Sequence, residues 1–190
     1  MRSHVRVLIV FAAALFLKGA VLAALHDHPL LQPRGDLDPV WYAQLAKRVA
    51  AGDLLLAPEP FFISPLYIYF LGAVFACGGG LLAARIVQIV LGAIAVVLAG
   101  ETARALFGPR AGWIASALLA LTGVVTFYEV TLLQSSLDPI LVAATLFFTS
   151  KWSGGLSARR TGVTEGRRTG VIDGRRAGVI EGRRAESPPL

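Results

Sequence analysis

The sequence predicts an all-α integral membrane protein. It has four to five transmembrane helices, a juxtamembrane or re-entrant helical segment, and a disordered basic C-terminal tail. Three observations predict this class. Of the 190 residues, 55% are apolar and only 16% are charged, whereas ordinary soluble domains carry about 25% charged residues, and the mean hydropathy is +0.66. The apolar residues gather in runs near the length of a bilayer span, separated by Pro, Gly and charge. The net charge of +6 is also uneven. Residues 1–150 hold nine Lys/Arg against eight Asp/Glu, and residues 151–190 hold nine against four. The high pI therefore belongs to the tail, and no nucleic-acid partner is expected. The chain divides into a membrane domain, 1–150, and a low-complexity tail, 151–190.

The first run, Val5 to Leu25, is apolar except for Arg6 and Lys18. At 1.5 Å rise per residue it is long enough to cross the hydrocarbon core. The basic start Arg2-His4-Arg6 with Val21-Leu22-Ala23 also fits a cleaved signal peptide; the apolar segments that follow favour an uncleaved first helix. Lys18 is expected to snorkel to the outer interface.

Residues 26–60 are polar and broken by Pro29, Pro33, Pro39, Pro58 and Pro60. Within them Trp41 to Ala51 reads as a short interfacial helix, with Trp41, Leu45 and Val49 on one face and Lys47 and Arg48 on the other. Gly52-Asp53 ends it. Phe61 to Cys77 is apolar and aromatic, and Gly78-Gly79-Gly80 follows as a linker. Leu81 to Ala99 is another span, Glu101 to Arg110 a charged connector, and Ala111 to Tyr128 and Pro139 to Phe148 the last two apolar segments. The single cysteine, Cys77, excludes a disulfide framework. In its apolar run it reads as a small buried hydrophobe.

Charge selects the topology. If residues 61–77 span, Arg104, Arg110 and the eight arginines of the tail lie outside. Cytoplasmic loops should be the Lys/Arg-rich ones. If residues 61–77 dip in or lie on the outer surface, all of these return to the cytoplasm. Pro65 in the first turn and the aromatic side chains suit that second, four-span arrangement. It places the protein in the cytoplasmic membrane, with N-terminus and tail inside and residues 26–60 outside.

The tail repeats with a period of eight residues, on the pairs Arg159-Arg160, Arg167-Arg168, Arg175-Arg176 and Arg183-Arg184. Two glycines per unit oppose helix, and each unit offers little to bury. It reads as repeat expansion, or as a segment for anionic headgroups or a partner.

Few residues in the greasy body can carry chemistry. Asp36 and Asp38 stand in a proline-flanked loop. A carboxylate there can act as general base or hold a divalent cation; Asp38 can equally cap a helix with Pro39 at its first position. Arg85, near the outer end of its helix, offers a planar fork to a phosphate or snorkels to headgroups. Gln88 faces the same way, one turn on, toward a ligand or another helix. Glu129 and Asp138 border a second external turn, where each is either a site acid or a solvated helix-end charge. His26 and His28 lack an evident third ligand, so no metal centre is expected. No P-loop, nucleophile elbow or dinucleotide fingerprint is present.

The body resembles the GT-C type membrane glycosyltransferases, in the branch grouped with glycosyltransferase family 39 and the RgtA/B/C/D-like proteins. The residues that carry the resemblance run in order: Asp38-x3-Tyr42-x3-Ala46, Ala51-Gly52-Asp53, Pro65-Leu66-Tyr67-x-Tyr69-Phe70-Leu71, Arg85-x2-Gln88-x3-Gly92, Ala105-Leu106-Phe107-Gly108 and Tyr128-Glu129-x2-Leu132-Leu133. The resemblance implies transfer of a sugar from a polyprenyl-phosphate donor to a glycan, lipid or protein acceptor on the extracytoplasmic face. It implies Asp38, Asp36 and Glu129 as catalytic acids, with Arg85, Tyr42, Gln88 and Tyr67 as substrate-binding residues. The donor is a substrate; no cofactor is certain, and the resemblance leaves a need for divalent metal open. Many relatives carry a second acid directly after the first; here that place is Pro39. Relatives also carry many more membrane segments, so the chain is expected to be an N-terminal part, inactive alone. The alternative is a small non-enzymatic multi-pass protein with a lipid- or partner-binding tail.

Overall fold

The computed structural model describes residues 3–25, 27–32, 38–56 and 64–152. Among them the regular structure is entirely helical. Seven α-helices follow in order: α1 (Ser3–Leu25), α2 (Asp38–Ala50), α3 (Pro65–Ala76), α4 (Leu81–Phe107), α5 (Pro109–Leu121), α6 (Gly123–Val130) and α7 (residues 138–152). Short 3-10 turns stand at Pro29–Leu31 and Gln134–Ser136. Packing separates Met1–Phe147 from Phe148–Leu190. Of the latter only the end of α7 lies within the described residues, so the expected tail and its arginine repeats lie outside them.

Two helices are long and apolar enough to cross a membrane, His4–Leu25 and Leu81–Phe107. A third crossing arises if α5 and α6 are one span, bent by 53°. α4 is the central element and carries packing faces for α1, α5 and α6. It runs antiparallel to α1: Val10 and Ala14 meet Ala93 and Val96, and Leu22 meets Ile89. α2 lies against α3, where Tyr42, Ala46 and Val49 join Tyr67, Ile68 and Leu71 in a buried cluster.

Several expectations change. The charged stretch after Ala99 is no connector, because α4 continues to Phe107. Its charges are paired: Glu101 accepts from Arg104 one turn on, at 2.6 and 3.0 Å, and from Arg6 of α1. Arg6 also stands over the Trp113 ring, 5.7 Å from its centroid. The turn comes at Gly108, whose φ of +94° favours glycine, and Pro109 starts α5 with a preset φ. The apolar run after Arg110 breaks at Thr122, whose hydroxyl bonds back to the Leu118 carbonyl, so α5 and α6 diverge. Cys77 is exposed at the C-terminal cap of α3, because the helix stops there and turns its end outward. Lys18 does not snorkel: it is 1% exposed and pairs with Glu129.

Candidate functional site

The polar side chains of the membrane body concentrate where α1 ends and α4 begins. α4 sets the frame, since Arg85, Gln88 and Gly92 recur at helical spacing on one buried face. Three groups of contacts form along it.

The Arg85 guanidinium is buried. Its Nε donates to the Val130 carbonyl at 3.1 Å, and Nη2 donates to the Leu31 carbonyl. Those carbonyls are free because α6 ends at Val130 and the 3-10 turn ends at Leu31. Among the described residues no carboxylate pairs with Arg85. Among the described residues its hydrogen bonds go to backbone carbonyls.

One turn further, Gln88 is fully buried. Its amide donates to the Tyr67 hydroxyl at 2.8 Å and to Ser136 Oγ at 2.6 Å, while its own carbonyl oxygen finds no partner among the described residues. Tyr67 meets Tyr42 edge to face with ring centroids 4.8 Å apart. The Tyr42 hydroxyl donates to Gln134 Oε1 at 3.1 Å. Burial, and then the nearby Asp38 carboxylate, push the Tyr42 phenol above its ordinary value, against a backbone hydrogen bond from Ser64.

Another turn on, Gly92 leaves room for Glu129. A Cβ on Gly92 would overlap the Glu129 carboxylate. Lys18 donates to Glu129 Oε2 and, at 3.2 Å, to Thr126 Oγ1, while Glu129 Oε1 has no hydrogen-bond partner among the described residues. Glu129 was expected at a watery helix end, beside the loop acids. Instead it is 0% exposed, held inside by a cation from another helix.

Asp38 is the first residue of α2 and is exposed, one turn before Tyr42. Asp36 lies outside the described residues. The Ala51-Gly52-Asp53 motif shapes the exit from α2: the Gly52 amide bonds to the Val49 carbonyl and the Asp53 amide to the Arg48 carbonyl, at 2.9 and 3.0 Å. The Asp53 carboxylate then accepts from the Arg48 guanidinium, 2.6 Å at the shorter contact, and from the Leu56 amide at 3.0 Å. That contact turns Leu56 inward at a φ of +52°, where it is 2% exposed.

The structure thus brings Tyr42, Tyr67, Gln88 and Arg85 to one end of the bundle. Lys18, Gln134 and Ser136 are additional members. Ser136 carries no sequence signal. For Lys18 the signal existed: a cation inside an apolar span calls for an anion within reach.

A family model, dolichyl-phosphate-mannose-protein mannosyltransferase, matches residues 59–162. The matched stretch holds Tyr67, Arg85, Gln88, Gly92 and Glu129, and begins after Asp38 and Tyr42. No curated protein and no solved structure matches the chain. The matched stretch covers more than half of the 190 residues and includes the whole polar face of α4. On that ground this membrane protein belongs to the dolichyl-phosphate-mannose-protein mannosyltransferase family, of the GT-C type membrane glycosyltransferases.

Proposed function

We propose that the chain builds the loop-and-phosphate part of a glycosyltransferase site, which moves a sugar from a polyprenyl-phosphate donor to a glycan, lipid or protein acceptor on the extracytoplasmic face. The observation that carries this reading is Arg85: a buried guanidinium, at the end of the bundle that carries the α2 acid, with only carbonyl partners among the described residues. Backbone carbonyls offset part of a charge so placed, and an anion brought to it would offset more. A donor phosphate is such an anion, and the arginine fork matches its oxygens.

Asp38 is the base of this reading. It stands exposed at the start of α2, where an acceptor hydroxyl can reach it. As that hydroxyl attacks the anomeric carbon, Asp38 takes its proton. The bond from the anomeric carbon to the phosphate oxygen breaks, and the electron pair leaves with the lipid phosphate. Arg85 offsets the charge that gathers there. One displacement inverts the anomeric centre. Asp36 is a second acid on the same loop. Glu129, closed in with Lys18, holds α1 to α6 and does not exchange protons with the acceptor.

In the membrane, α1, α4, the α5–α6 pair and α7 are the four crossings of this reading, and α3 lies along the outer surface. Arg104, Arg110 and the tail are then cytoplasmic, as the charge rule asks.

The test is sugar transfer from a polyprenyl-phosphate donor in membranes carrying the complete protein. Asp38→Ala should lower transfer by about 10²- to 10⁴-fold, the range for loss of a general base. Full activity in that variant would sink the assignment.

A further inference from the structure

We propose that Gln134 and Ser136 are positioning residues, which fix α2 and so hold Asp38 at its working place; this rests on Asp38 being the base.

The segment between α6 and α7 is a hub. Leu132 and Leu137, 1% and 8% exposed, enter the same cluster as Tyr42 and Tyr67. These two apolar anchors fix the Gln134–Ser136 turn between them. From the turn, Gln134 accepts from Tyr42 of α2, and Ser136 accepts from Gln88 of α4. Gln88 donates in turn to Tyr67 of α3, whose ring meets Tyr42. The contacts close a circuit through α2, the turn, α4 and α3, and return to α2.

The circuit matters because of what else holds α2. Its buried packing on α3, through Tyr42, Ala46 and Val49 against Tyr67, Ile68 and Leu71, is largely apolar, with Tyr42 also accepting from the Ser64 backbone. Burial of apolar surface is non-directional and leaves a short helix free to slide or roll. A hydrogen bond with a preferred length and angle does not. The Tyr42–Gln134 bond lies one turn from Asp38, so it fixes the end of α2 that carries the acid. A displacement of 1 Å at a reacting group costs about 10²-fold in rate.

The experiment uses Gln134→Leu and Gln134→Glu. Gln134 is exposed, so neither variant opens the core. Glu keeps the acceptor oxygen, and Leu removes it. Spin labels on Gln44 of α2 and Ile86 of α4, both exposed, in a Cys77→Ser background, report how tightly α2 is held. The distance distribution should broaden in Gln134→Leu and narrow again in Gln134→Glu. Sugar transfer should follow the same order: kcat falls at least tenfold in Gln134→Leu with KM little changed, and returns in Gln134→Glu. An unchanged distribution in Gln134→Leu overturns the brace. A broadened distribution with unchanged kcat overturns the positioning role. If the complete protein with Asp38 and Gln134 intact transfers no sugar, the catalytic reading falls and the positioning role with it, while the distances still decide whether the brace exists.

Discussion

Lys18 of α1 and Glu129 of α6 form an ion pair in which both side chains are 1% exposed. Buried in the bundle, neither charge has water to turn to, so each depends on the other. Removing one partner strands a buried charge, which costs about 3–5 kcal/mol, whereas replacing both with apolar side chains is often neutral or stabilising. Glu129→Leu alone and Lys18→Met alone should each lower the thermal stability of the detergent-solubilised protein sharply. The double variant should recover most of the loss. If the single variants melt where the wild type does, the pair does not hold these helices.

A second prediction concerns the crossing of α4 and α5. A Cβ on Gly100 would overlap Ser116 Oγ and lie 3.1 Å from the Gly112 carbonyl oxygen. Small residues let membrane helices approach this closely. Gly100→Ala should destabilise by about 1–3 kcal/mol, the usual cost of overpacking. Ser116→Ala removes the clashing hydroxyl, so the pair should be non-additive, as expected for residues in contact. A double-mutant cycle on thermal unfolding measures this. Strict additivity would mean that the helices do not meet there.

The parts of this fold written in local sequence were legible, and the parts set by distant partners were not. Hydropathy alone located α1 and the core of α4. The Trp41 face and Gly52 located α2, whose described helix starts at Asp38 and ends at Ala50. The true end of α4 was also written locally, as Gly108-Pro109, but the charges of Glu101 and Arg104 masked it, because a paired charge inside a helix looks in sequence like a loop. The break at Thr122 has only a weak signal, Thr-Gly inside an apolar run. Within the site, the recurrence of Arg85, Gln88 and Gly92 gave a shared face. What Gly92 faces could not be read, because Glu129 and Lys18 come from separate parts of the chain.

Tyr42 supplies a prediction in pH. Its phenol is held above the ordinary value of about 10, chiefly by burial and then by the Asp38 carboxylate. Below pH 10 it is neutral in both folded and unfolded chains, and its contribution to stability is complete. Above pH 10 the unfolded chain loses that proton first, so stability falls as pH rises. The tyrosinate absorbance of wild type minus Tyr42→Phe should therefore titrate later than free tyrosine. Asp38→Asn should move it back part of the way. A difference titration at the ordinary value would show that Tyr42 is not enclosed against α3.

The last prediction uses the one cysteine the chain carries. Cys77 is exposed at the end of α3. α3 has 12 residues, about 18 Å of helix, against a hydrocarbon core of about 30 Å. Too short to cross unaided, it lies on the outer surface in the four-crossing reading, with both of its ends outside. If it crossed, Cys77 would reach the cytoplasmic side, and Arg104, Arg110 and the arginine-rich tail would be carried outward. A membrane-impermeant maleimide added to intact cells distinguishes the two without any mutation. Labelling of Cys77 in intact cells, equal to that in permeabilised cells, is the outcome expected of the four-crossing arrangement. Protection in intact cells with labelling after permeabilisation would make α3 a span. Residues 26–60 and Asp38 would remain outside, but α4 would then run outward, carrying the start of that helix and Arg85 to the cytoplasmic side, so the base and the phosphate-binding cation could not serve one site.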